Sequence, residues 1–460
     1  MKKSSKASVV LVKTLTYVSA YAITLAILTS VYFWTPIGQN EYPFLRNVVI
    51  LFAGILLTKY FFYMIVSPWN EVRSKLVLQR LGAPLSERSN APRASVIVPA
   101  WNEEVGVVTT LKTLLQSTYK NVEVLVIDNA STDKTGVRVK KFIDDYYHTV
   151  DMSKPHVDIV YYFEGKQGKG NALNTGITHA SGDIIISIDA DCSVAPNAIA
   201  GFVDVFVDPK TMAAVGNVKI GNTETLLGII QYLEFLFSFY FKKGDSLLNT
   251  IYIIGGAAGA FRKEVFSKIG GYSTKNITED IDLSIRIQKA GMKIVYVPQA
   301  IVYTEGATTI QGLIKQRLRW KRGRFETYMK HRKFFFSTQR GHSKLLTCIM
   351  LPLSLFGEVQ LFCELFFLAF LYWYSYLTND FSSFLSGIAI VASMFFIQIF
   401  FDNRRKNSIE FYLLAPIGWI LFYLSTFVEF RALVESIWGY MRGKKVSWQK
   451  WQRTGVFSKT

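Results

Sequence analysis

Five long apolar runs stand out from a central segment in which the apolar stretches are short. Two runs lie near the N-terminus, at residues 14–34 and 48–66, and three follow residue 344, at 345–377, 381–401 and 409–430. A helix that crosses a bilayer core needs about 20 predominantly apolar residues, so each run is a predicted membrane span. The first run is too long for a cleavable signal peptide, and no small-residue cleavage site follows it.

Between these two groups, residues 67–344 are predicted to form a soluble domain. Short apolar strands, carried by ASVIVPA, VEVLVID, VDIVYYF and DIIISID, alternate there with helical patterns. This alternation predicts an α/β fold with a mainly parallel sheet and helices on both faces. Ligands of such sheets bind beyond the carboxyl ends of the strands, where Asp128, Asp189 and Asp191 are expected. No G-x-G-x-x-G motif follows the first strand, which argues against a dinucleotide cofactor.

Charge and cysteine content place the central domain in the cytosol. The 460-residue chain is 50% hydrophobic and carries a formal net charge of +18. Its basic clusters flank the apolar runs, at residues 2–6, 315–344 and 442–453. Basic residues beside membrane spans mark the cytoplasmic side and attract anionic lipid, so the expected partner is a bilayer and not a nucleic acid. The three cysteines form no plausible disulfide framework, which fits a reducing compartment.

Asp189 and Asp191 form a D-x-D motif at the end of the fourth predicted strand. Side chains two residues apart at an extended strand end point the same way, and converging carboxylates repel each other unless a cation lies between them. Hard divalent ions such as Mg²⁺ or Mn²⁺ prefer oxygen ligands and often bridge to phosphate. The pair is therefore a candidate metal site, although a solvated turn explains the same tripeptide.

Two basic segments are candidates for phosphate and sugar binding. In GKQGKGN, Lys166 and Lys169 lie close to a helix start, where backbone N–H groups and a lysine suit a phosphate; a flexible basic loop is the alternative. In IKQRLRWKRGRF, Gln316, Arg319 and Trp320 share one helix face. A tryptophan beside amide and guanidinium groups can stack on a sugar ring or help to hold a diphosphate. An interfacial helix with a tryptophan anchor is the alternative there.

The segment NITEDIDLSIRIQKAG concentrates negative charge within a strongly basic chain. Glu279, Asp280 and Asp282 lie close together in it, directly after Thr278. Taken alone, the segment is typical of a helix start capped by Thr278, because acidic side chains suit the partial positive charge of a helix N-terminus. A second interpretation comes only from its combination with the other motifs.

In their order along the chain, these motifs resemble those of membrane-embedded family 2 glycosyltransferases, the processive synthases of poly-N-acetylglucosamine, cellulose, chitin and hyaluronan. The resemblance covers residues 94–324 and the flanking apolar runs, and it rests on PAWNEE, VIDNASTD, GKGNALN, DAD, GAFRKE, TEDIDL and QRLRW. The D-x-D motif alone is weak evidence. T-E-D at 278–280 followed by Q-x-x-R-W at 316–320, between apolar runs, is specific. The run ITEDIDLS most resembles the poly-N-acetylglucosamine synthases.

The resemblance implies a fold of the nucleotide-diphosphosugar transferase (GT-A) type and a role for each matched residue. Asp280 matches the general base, supported by Glu279. Asp191 matches the residue that binds a Mg²⁺ or Mn²⁺ ion on the diphosphate, and Asp189 contacts the nucleotide sugar beside it. The other matched residues bind substrate: Ala100, Asn102, Glu103 and Asp128 at the nucleoside, Lys169 at the nucleotide, and Gln316, Arg319 and Trp320 at the diphosphate and the acceptor end of the chain.

The implied enzyme is an inverting processive β-glycosyltransferase that polymerises a sugar, with N-acetylglucosamine favoured, and extrudes the polysaccharide across the plasma membrane. The alternatives are a hyaluronan, chitin or cellulose synthase-type polymerase and a non-processive enzyme that makes a glycolipid. A transporter with a nucleotide-binding domain is the competing class. The expected partners are a UDP-sugar, the growing polysaccharide and the lipid bilayer, and the resemblance allows an accessory membrane subunit.

The expected domain order follows from the apolar runs and the motifs. It comprises two N-terminal transmembrane helices (1–68), a tether (69–93), a cytosolic glycosyltransferase domain that ends in interfacial helices (94–333), C-terminal transmembrane helices (334–432) and a basic cytosolic tail (433–460).

Five simple crossings would leave the two basic ends of the chain on opposite sides, so one run must behave differently. Pro352 and Gly357 favour a break within the run 345–377, and re-entry of the run 409–430 is the alternative. Glu358 and Glu364 lie in the first of these runs. Carboxylates within a membrane are candidates for function, and for Glu358 the other interpretation is that it marks the break.

Overall fold

The computed structural model describes residues 43–82, 84–402 and 409–443, together with isolated positions at 15, 18, 19, 22, 26 and 455. Most of the first apolar run, the loop at 403–408 and, apart from residue 455, residues 444–460 of the basic tail lie outside the described residues. The predicted first span and the cytosolic tail therefore stay predictions.

Two helices lead from the second apolar run into the central domain. Helix α1 spans Pro43–Val66 and contains that run, and helix α2 spans Trp69–Leu81. Much of the segment expected to be a tether is thus helical. The Glu71 carboxylate of α2 lies 2.7 Å from the Lys243 ammonium of the central domain. An ion pair therefore fixes the entering segment to the domain.

The central domain is built on one eight-stranded sheet. Its strands are β1 (Ala94–Ala100), β2 (Val122–Asp128), β3 (Asp158–Phe163), β4 (Ile184–Ile188), β5 (Cys192–Val194), β6 (Thr211–Ile220), β7 (Ala258–Arg262) and β8 (Lys293–Thr304). Their spatial order is β3-β2-β1-β4-β7-β6-β8-β5.

The sheet is parallel in one half and mixed in the other. Strands β3, β2, β1 and β4 are parallel neighbours, as the alternation of strands and helices predicts. Strand β7 is antiparallel to both β4 and β6, and β5 is antiparallel to β8. The expectation of a mainly parallel sheet does not hold around β7 and β5. Antiparallel neighbours need no crossover helix, so the order of elements along the chain does not reveal them.

Helices cover the sheet. They are α3 (Val107–Leu115), α4 (Thr135–Thr149), α5 (Lys169–His179), α6 (Ala198–Asp204), α7 (Leu226–Leu248), α8 (Lys263–Ile269) and α9 (Glu279–Lys289). A further helix, α10 (Ile310–Lys330), packs on α9. Every residue of β2 and β4 is buried. Successive side chains of a strand point to opposite faces, so both faces of the sheet are covered there. Ligands therefore reach the sheet where its strands end.

The described residues of the C-terminal part form four further α-helices: α11 (Leu351–Thr378), α12 (Ser382–Phe400), α13 (Ile409–Leu414) and α14 (Gly418–Met441). Two stretches of the described chain are long and apolar enough to span a membrane, Leu346–Thr378 and Phe411–Met441. The first is one uninterrupted helix of 33 residues, so the expected break at Gly357 is wrong. Pro352 lies where a π-helical turn, Leu346–Met350, continues into α11.

The last apolar run is attached to the central domain near both of its ends. Asp402, directly after α12, pairs with the Lys219 ammonium of β6 and accepts a hydrogen bond from the Tyr232 hydroxyl at 2.7 Å. Near the other end, helix α14 packs on α10, where Arg322 donates to the Ser436 carbonyl at 3.4 Å. The chain therefore enters and leaves this run beside the same domain.

Candidate active site

A cavity of about 240 Å³ opens at the carboxyl ends of β1 and β4. This is the edge at which α/β sheets bind their ligands. Six residues singled out in the sequence line it: Ala100, Glu103, Lys169, Asp189, Asp191 and Arg319. The fold thus brings four separate motifs to one place.

A fixed turn carries the D-x-D motif on the cavity wall. The Thr110 hydroxyl lies 2.8 Å from the Ala190 carbonyl and 2.7 Å from the Cys192 carbonyl. Gly106 approaches so closely that a Cβ there would lie 3.3 Å from the Ala190 carbonyl oxygen. Asp191 is only 6% exposed. The loose solvated turn considered for this tripeptide is therefore not what the structure contains.

Lys169 is the positive centre of a group of carboxylates. Its ammonium pairs with Asp189 and lies 4.0 Å from a Glu279 oxygen. Burial alone would lower the pKa of Lys169, but the carboxylates of Asp189 and Glu279 raise it above its ordinary value. The side chain therefore carries its charge at neutral pH.

The glycine-rich loop before α5 is held in place by Asn129. The Asn129 side chain donates to the Lys166 carbonyl at 2.7 Å and accepts a hydrogen bond from the Gly168 N–H at 2.7 Å. Gly168 has a φ of +128°, a conformation that a side chain would strain. These contacts present Lys169 to the cavity from an ordered loop.

Asp280 lies in the first turn of α9, beside Lys169. The Gly256 N–H donates to one carboxylate oxygen of Asp280 at 3.1 Å, and the Ile281 N–H donates to the other at 2.9 Å. A Cβ on Gly256 would lie 2.7 Å from the Lys169 ammonium and 3.8 Å from an Asp280 oxygen. A side chain at position 256 would therefore displace the Lys169 ammonium from its place beside Asp280.

The start of α9 is buried against α10. Glu279 is 5% exposed. Burial raises the pKa of its carboxyl group, although the nearby Lys169 ammonium opposes the shift. The Thr278 side chain does not cap the helix, so that expectation is wrong. Its hydroxyl instead lies 3.2 Å from the Thr327 hydroxyl of α10, because the two helices pack there.

Asp128 and Asn102 support the neighbouring loops and do not line the cavity. Asp128 is buried, accepts a hydrogen bond from the Tyr161 hydroxyl at 2.8 Å and accepts another from the Ser131 N–H at 3.0 Å. Asn102 has a φ of 54°, and its side-chain oxygen accepts a hydrogen bond from the Thr132 N–H at 2.7 Å. Both residues thus fix loops that adjoin the cavity wall.

Helix α10 divides the Q-R-L-R-W motif between two surroundings. Arg319 lines the cavity, whereas Gln316 and Trp320 do not. The Trp320 indole lies over the Arg317 guanidinium, with 4.3 Å between the guanidinium carbon and the ring centroid. The Phe235 ring lies 6.4 Å from the indole, centroid to centroid. The face predicted from helical spacing is therefore split between the cavity and the packing of α10 on α7.

Residues that sequence reasoning did not single out also line the cavity, among them Trp101, Asn129 and Gln167. Trp101 and Asn129 directly follow β1 and β2, so the strand-end argument that found Asp128 also applies to them. Gln167 lies within the glycine-rich loop, where composition marks the loop and not the individual side chain.

Comparisons with known proteins identify sequences that are similar to this chain. Residues 95–270 match the model of Glycosyl transferase family 2, and residues 184–401 match Glycosyl transferase family group 2. A poly-beta-1,6-N-acetyl-D-glucosamine synthase of Staphylococcus epidermidis is 30% identical over 382 residues, which cover 80% of this chain and 86% of the relative. An enzyme of the same name from Staphylococcus aureus is 31% identical over 247 residues, 53% of this chain and 57% of the relative.

Among solved structures, a mannosyltransferase of Pyrobaculum calidifontis in complex with GDP-Man and Mn²⁺ has a similar fold. The TM-score is 0.51, with 20% identity, and the match covers 85% of this chain and 99% of that one. The similarity confirms the predicted α/β sugar-transferase fold of the GT-A type. With its relatives matched over most of their length, the chain belongs to glycosyltransferase family 2 and is a sugar-transferring enzyme.

Proposed function

We propose that the protein is an inverting, processive β-glycosyltransferase that polymerises N-acetylglucosamine from UDP-N-acetylglucosamine. The observation that carries the proposal is the meeting of a cavity lined by Lys169, Asp189, Asp191 and Arg319 with Asp280 at one edge of the sheet. The choice of sugar rests on the TEDIDL motif and on relatives named poly-β-1,6-N-acetyl-D-glucosamine synthases.

The cavity would bind the UDP part of the donor. Lys169 and Arg319 supply positive charge for the diphosphate. Asp128 and Asn102, in the adjoining loops, would contact the uracil and ribose, with Ala100 and Glu103 on the cavity wall. Their fixed positions favour binding, since little side-chain entropy is left to lose.

A Mg²⁺ or Mn²⁺ ion would be held by Asp191 with Asp189 beside it. Within the described part of the chain, no group of three or more His, Cys, Asp or Glu side chains is placed to hold a metal by itself. This fits an ion that takes its remaining ligands from donor phosphates, as Mg²⁺ commonly does. Because Asp189 is already paired with Lys169, Asp191 is the principal ligand. When bound, the ion would offset charge on the leaving diphosphate.

Asp280 would act as the general base. It would accept the proton of an acceptor hydroxyl as that oxygen forms its bond to the anomeric carbon and the bond to UDP breaks. Lys169 and Arg319 would stabilise the negative charge that develops on UDP. Attack from the face opposite the leaving group converts the α linkage of the donor into a β linkage.

The acceptor would approach from the side of α10. Trp320 would stack on the acceptor sugar, with Gln316 on the same helix. Helices α11 and α14 lie in the two stretches that are apolar enough to span a membrane. α14 packs on α10, and Glu358 of α11 pairs with Lys321 and Arg324 of α10. A catalytic domain in the cytosol and several spans in the plasma membrane would let the polymer be extruded as it grows, with or without an accessory subunit.

Purified protein supplied with each UDP-sugar singly and in pairs tests the proposal. UDP-N-acetylglucosamine alone, with Mg²⁺ or Mn²⁺, is expected to give UDP and a long polymer. A need for two donors would indicate a hyaluronan-type polymerase, and a short lipid-linked product would indicate a non-processive enzyme. Absence of turnover with every UDP-sugar would contradict the proposal.

A further inference from the structure

A charge-balanced cluster of ion pairs lies outside the cavity, where α10 meets three other helices. It consists of three cations of α10 and one glutamate each from α7, α11 and α14: Arg317, Lys321, Arg324, Glu234, Glu358 and Glu429. Because removing charges from water is costly, such a cluster adds little net stability and mainly fixes geometry. No step of the proposed mechanism involves it.

Arg317 is the most deeply buried member of the cluster, with a side chain that is 1% exposed. Its Nη2 atom lies 2.7 Å from Glu234 Oε2, and its Nε atom lies 2.8 Å from Glu429 Oε1. A guanidinium presents its donors in a rigid planar fork. Nη2 donates a hydrogen bond to Glu234, and Glu429 forms an ion pair with the same group, so carboxylates from two different helices hold it in place.

The fixed guanidinium lies against the indole of Trp320, one turn further along α10. The distance of 4.3 Å from the guanidinium carbon to the ring centroid lies within the range of a cation–π contact. Lys321, the next residue, lies 2.8 Å from the second oxygen of Glu429. Glu429 thus contacts α10 on both sides of Trp320.

We propose that Arg317 is a positioning residue for the acceptor and that Glu429 of α14 is its anchor. The inference rests on the proposed role of Trp320 in binding the acceptor sugar. Arg317 acts through the Trp320 indole, because the plane of the guanidinium group sets the orientation of the indole ring. Replacement of the planar guanidinium impairs elongation of the polymer and leaves hydrolysis of the donor unchanged.

Arg317→Lys tests this directly, because lysine keeps the charge but lacks the planar fork. Polymer formation and hydrolysis of UDP-N-acetylglucosamine are measured on the full-length protein in detergent. Elongation should fall about tenfold, with shorter products. Donor hydrolysis and the KM for the donor should stay within about twofold, since the mutation lies outside the cavity. Equal losses of both activities would overturn the proposal.

A double-mutant cycle separates positioning from a general structural role. If Arg317 acts through the indole, Arg317→Lys adds no further loss in a Trp320→Ala background. Additive losses would overturn the proposal. If Trp320→Ala itself leaves elongation unchanged, the proposed acceptor role fails first, so the two failures are distinguishable.

Glu429→Gln tests the same ion pair by changing the partner of Arg317. It also keeps the proposal testable if the Arg317→Lys protein does not accumulate. The matched control is Glu435→Gln on the same helix, where the carboxylate is exposed and pairs with Arg431 at 2.9 Å. A selective loss of elongation in Glu429→Gln, absent from the control, supports the proposal. Unchanged elongation in Glu429→Gln overturns it.

Discussion

The donor-side cavity and the ion cluster behind Trp320 are both built around charged residues, yet they are assembled differently. The cavity collects strand ends and loops, and its charges face space that a ligand can fill. The cluster collects side chains from the middles of four helices, and its charges face one another. We infer that the charges of the cavity serve the proposed substrate, whereas the charges of the cluster hold α10 against three neighbouring helices.

The largest expected effect is on the cavity side, at Asp280. Asp280→Asn removes the proton acceptor but keeps the size of the side chain, so polymer formation should fall about 100-fold or more. Binding of UDP, measured by calorimetry, should stay near that of the unchanged protein because Asp280 acts on the acceptor. Near-normal polymer yield would show that another group is the base.

The metal site comes next. Asp191→Ala should weaken metal-dependent donor binding about 10- to 100-fold. EDTA should abolish polymer formation by the unchanged protein, and added Mg²⁺ or Mn²⁺ should restore it. Polymer formation that persists in EDTA would show that the reaction does not need a divalent metal ion in the cavity.

A third prediction concerns stability, at the junction between the two regions. Asp282 of α9 is 1% exposed and accepts hydrogen bonds from Lys330 at 2.6 Å, His331 at 2.9 Å and Arg286 at 2.9 Å. Asp282→Asn leaves these donors without their carboxylate, so the free energy of unfolding should fall by about 3 kcal/mol. Thermal unfolding in detergent measures the change, with the exposed Asp144→Asn as control.

The same residue predicts a pH dependence. Burial would raise the pKa of Asp282, but hydrogen bonds from His331 and Lys330 lower it well below the ordinary value. Its stabilising contribution is then complete above the unfolded-state pKa of about 4 and is lost as the pH falls further. The difference between the unchanged protein and Asp282→Asn should therefore narrow below about pH 4. A difference that does not change with pH would contradict this.

The smallest effect is expected from cysteine substitutions that test the membrane topology, because these should leave activity unchanged. Because the last apolar run is attached to the central domain near both ends, we expect it to re-enter without crossing. A cysteine at Gly443 should react only with reagent on the cytosolic side, whereas one at Asp380, in the turn between α11 and α12, should react from outside. Labelling of the Gly443 position from outside would show that the run crosses.

The sequence predicted the cavity better than it predicted the cluster. Strands β1 to β4 are short apolar runs that end in polar motifs, and parallel strands bring such ends to one edge. Asp189 and Asp191 were found this way, Lys169 was found from the basic glycine-rich segment GKQGKGN, and the family resemblance added Asp280. The antiparallel β7 was not found, because its pairing depends on contacts distant in the chain.

The sequence around the residues of the ion cluster gave almost no indication that they pair with one another. Lys321 and Arg324 lie in a basic segment that is typical of the cytosolic flank of a span, and Glu234 and Glu429 each lie in a largely apolar helix. Glu358 was noticed, but with two interpretations open. Only the packing of α10 against α11 and α14 shows that it pairs with Lys321 and Arg324, at 2.8 and 2.6 Å.

The most direct test of the account measures UDP release and polymer formation in one reaction, for the unchanged protein, Asp280→Asn and Trp320→Ala. We propose Asp280 for the chemical step and Trp320 for binding of the acceptor. Asp280→Asn should therefore lower both quantities together. Trp320→Ala should lower polymer formation about tenfold while UDP release by hydrolysis continues. A parallel loss of both quantities in Trp320→Ala would contradict the division between donor side and acceptor side.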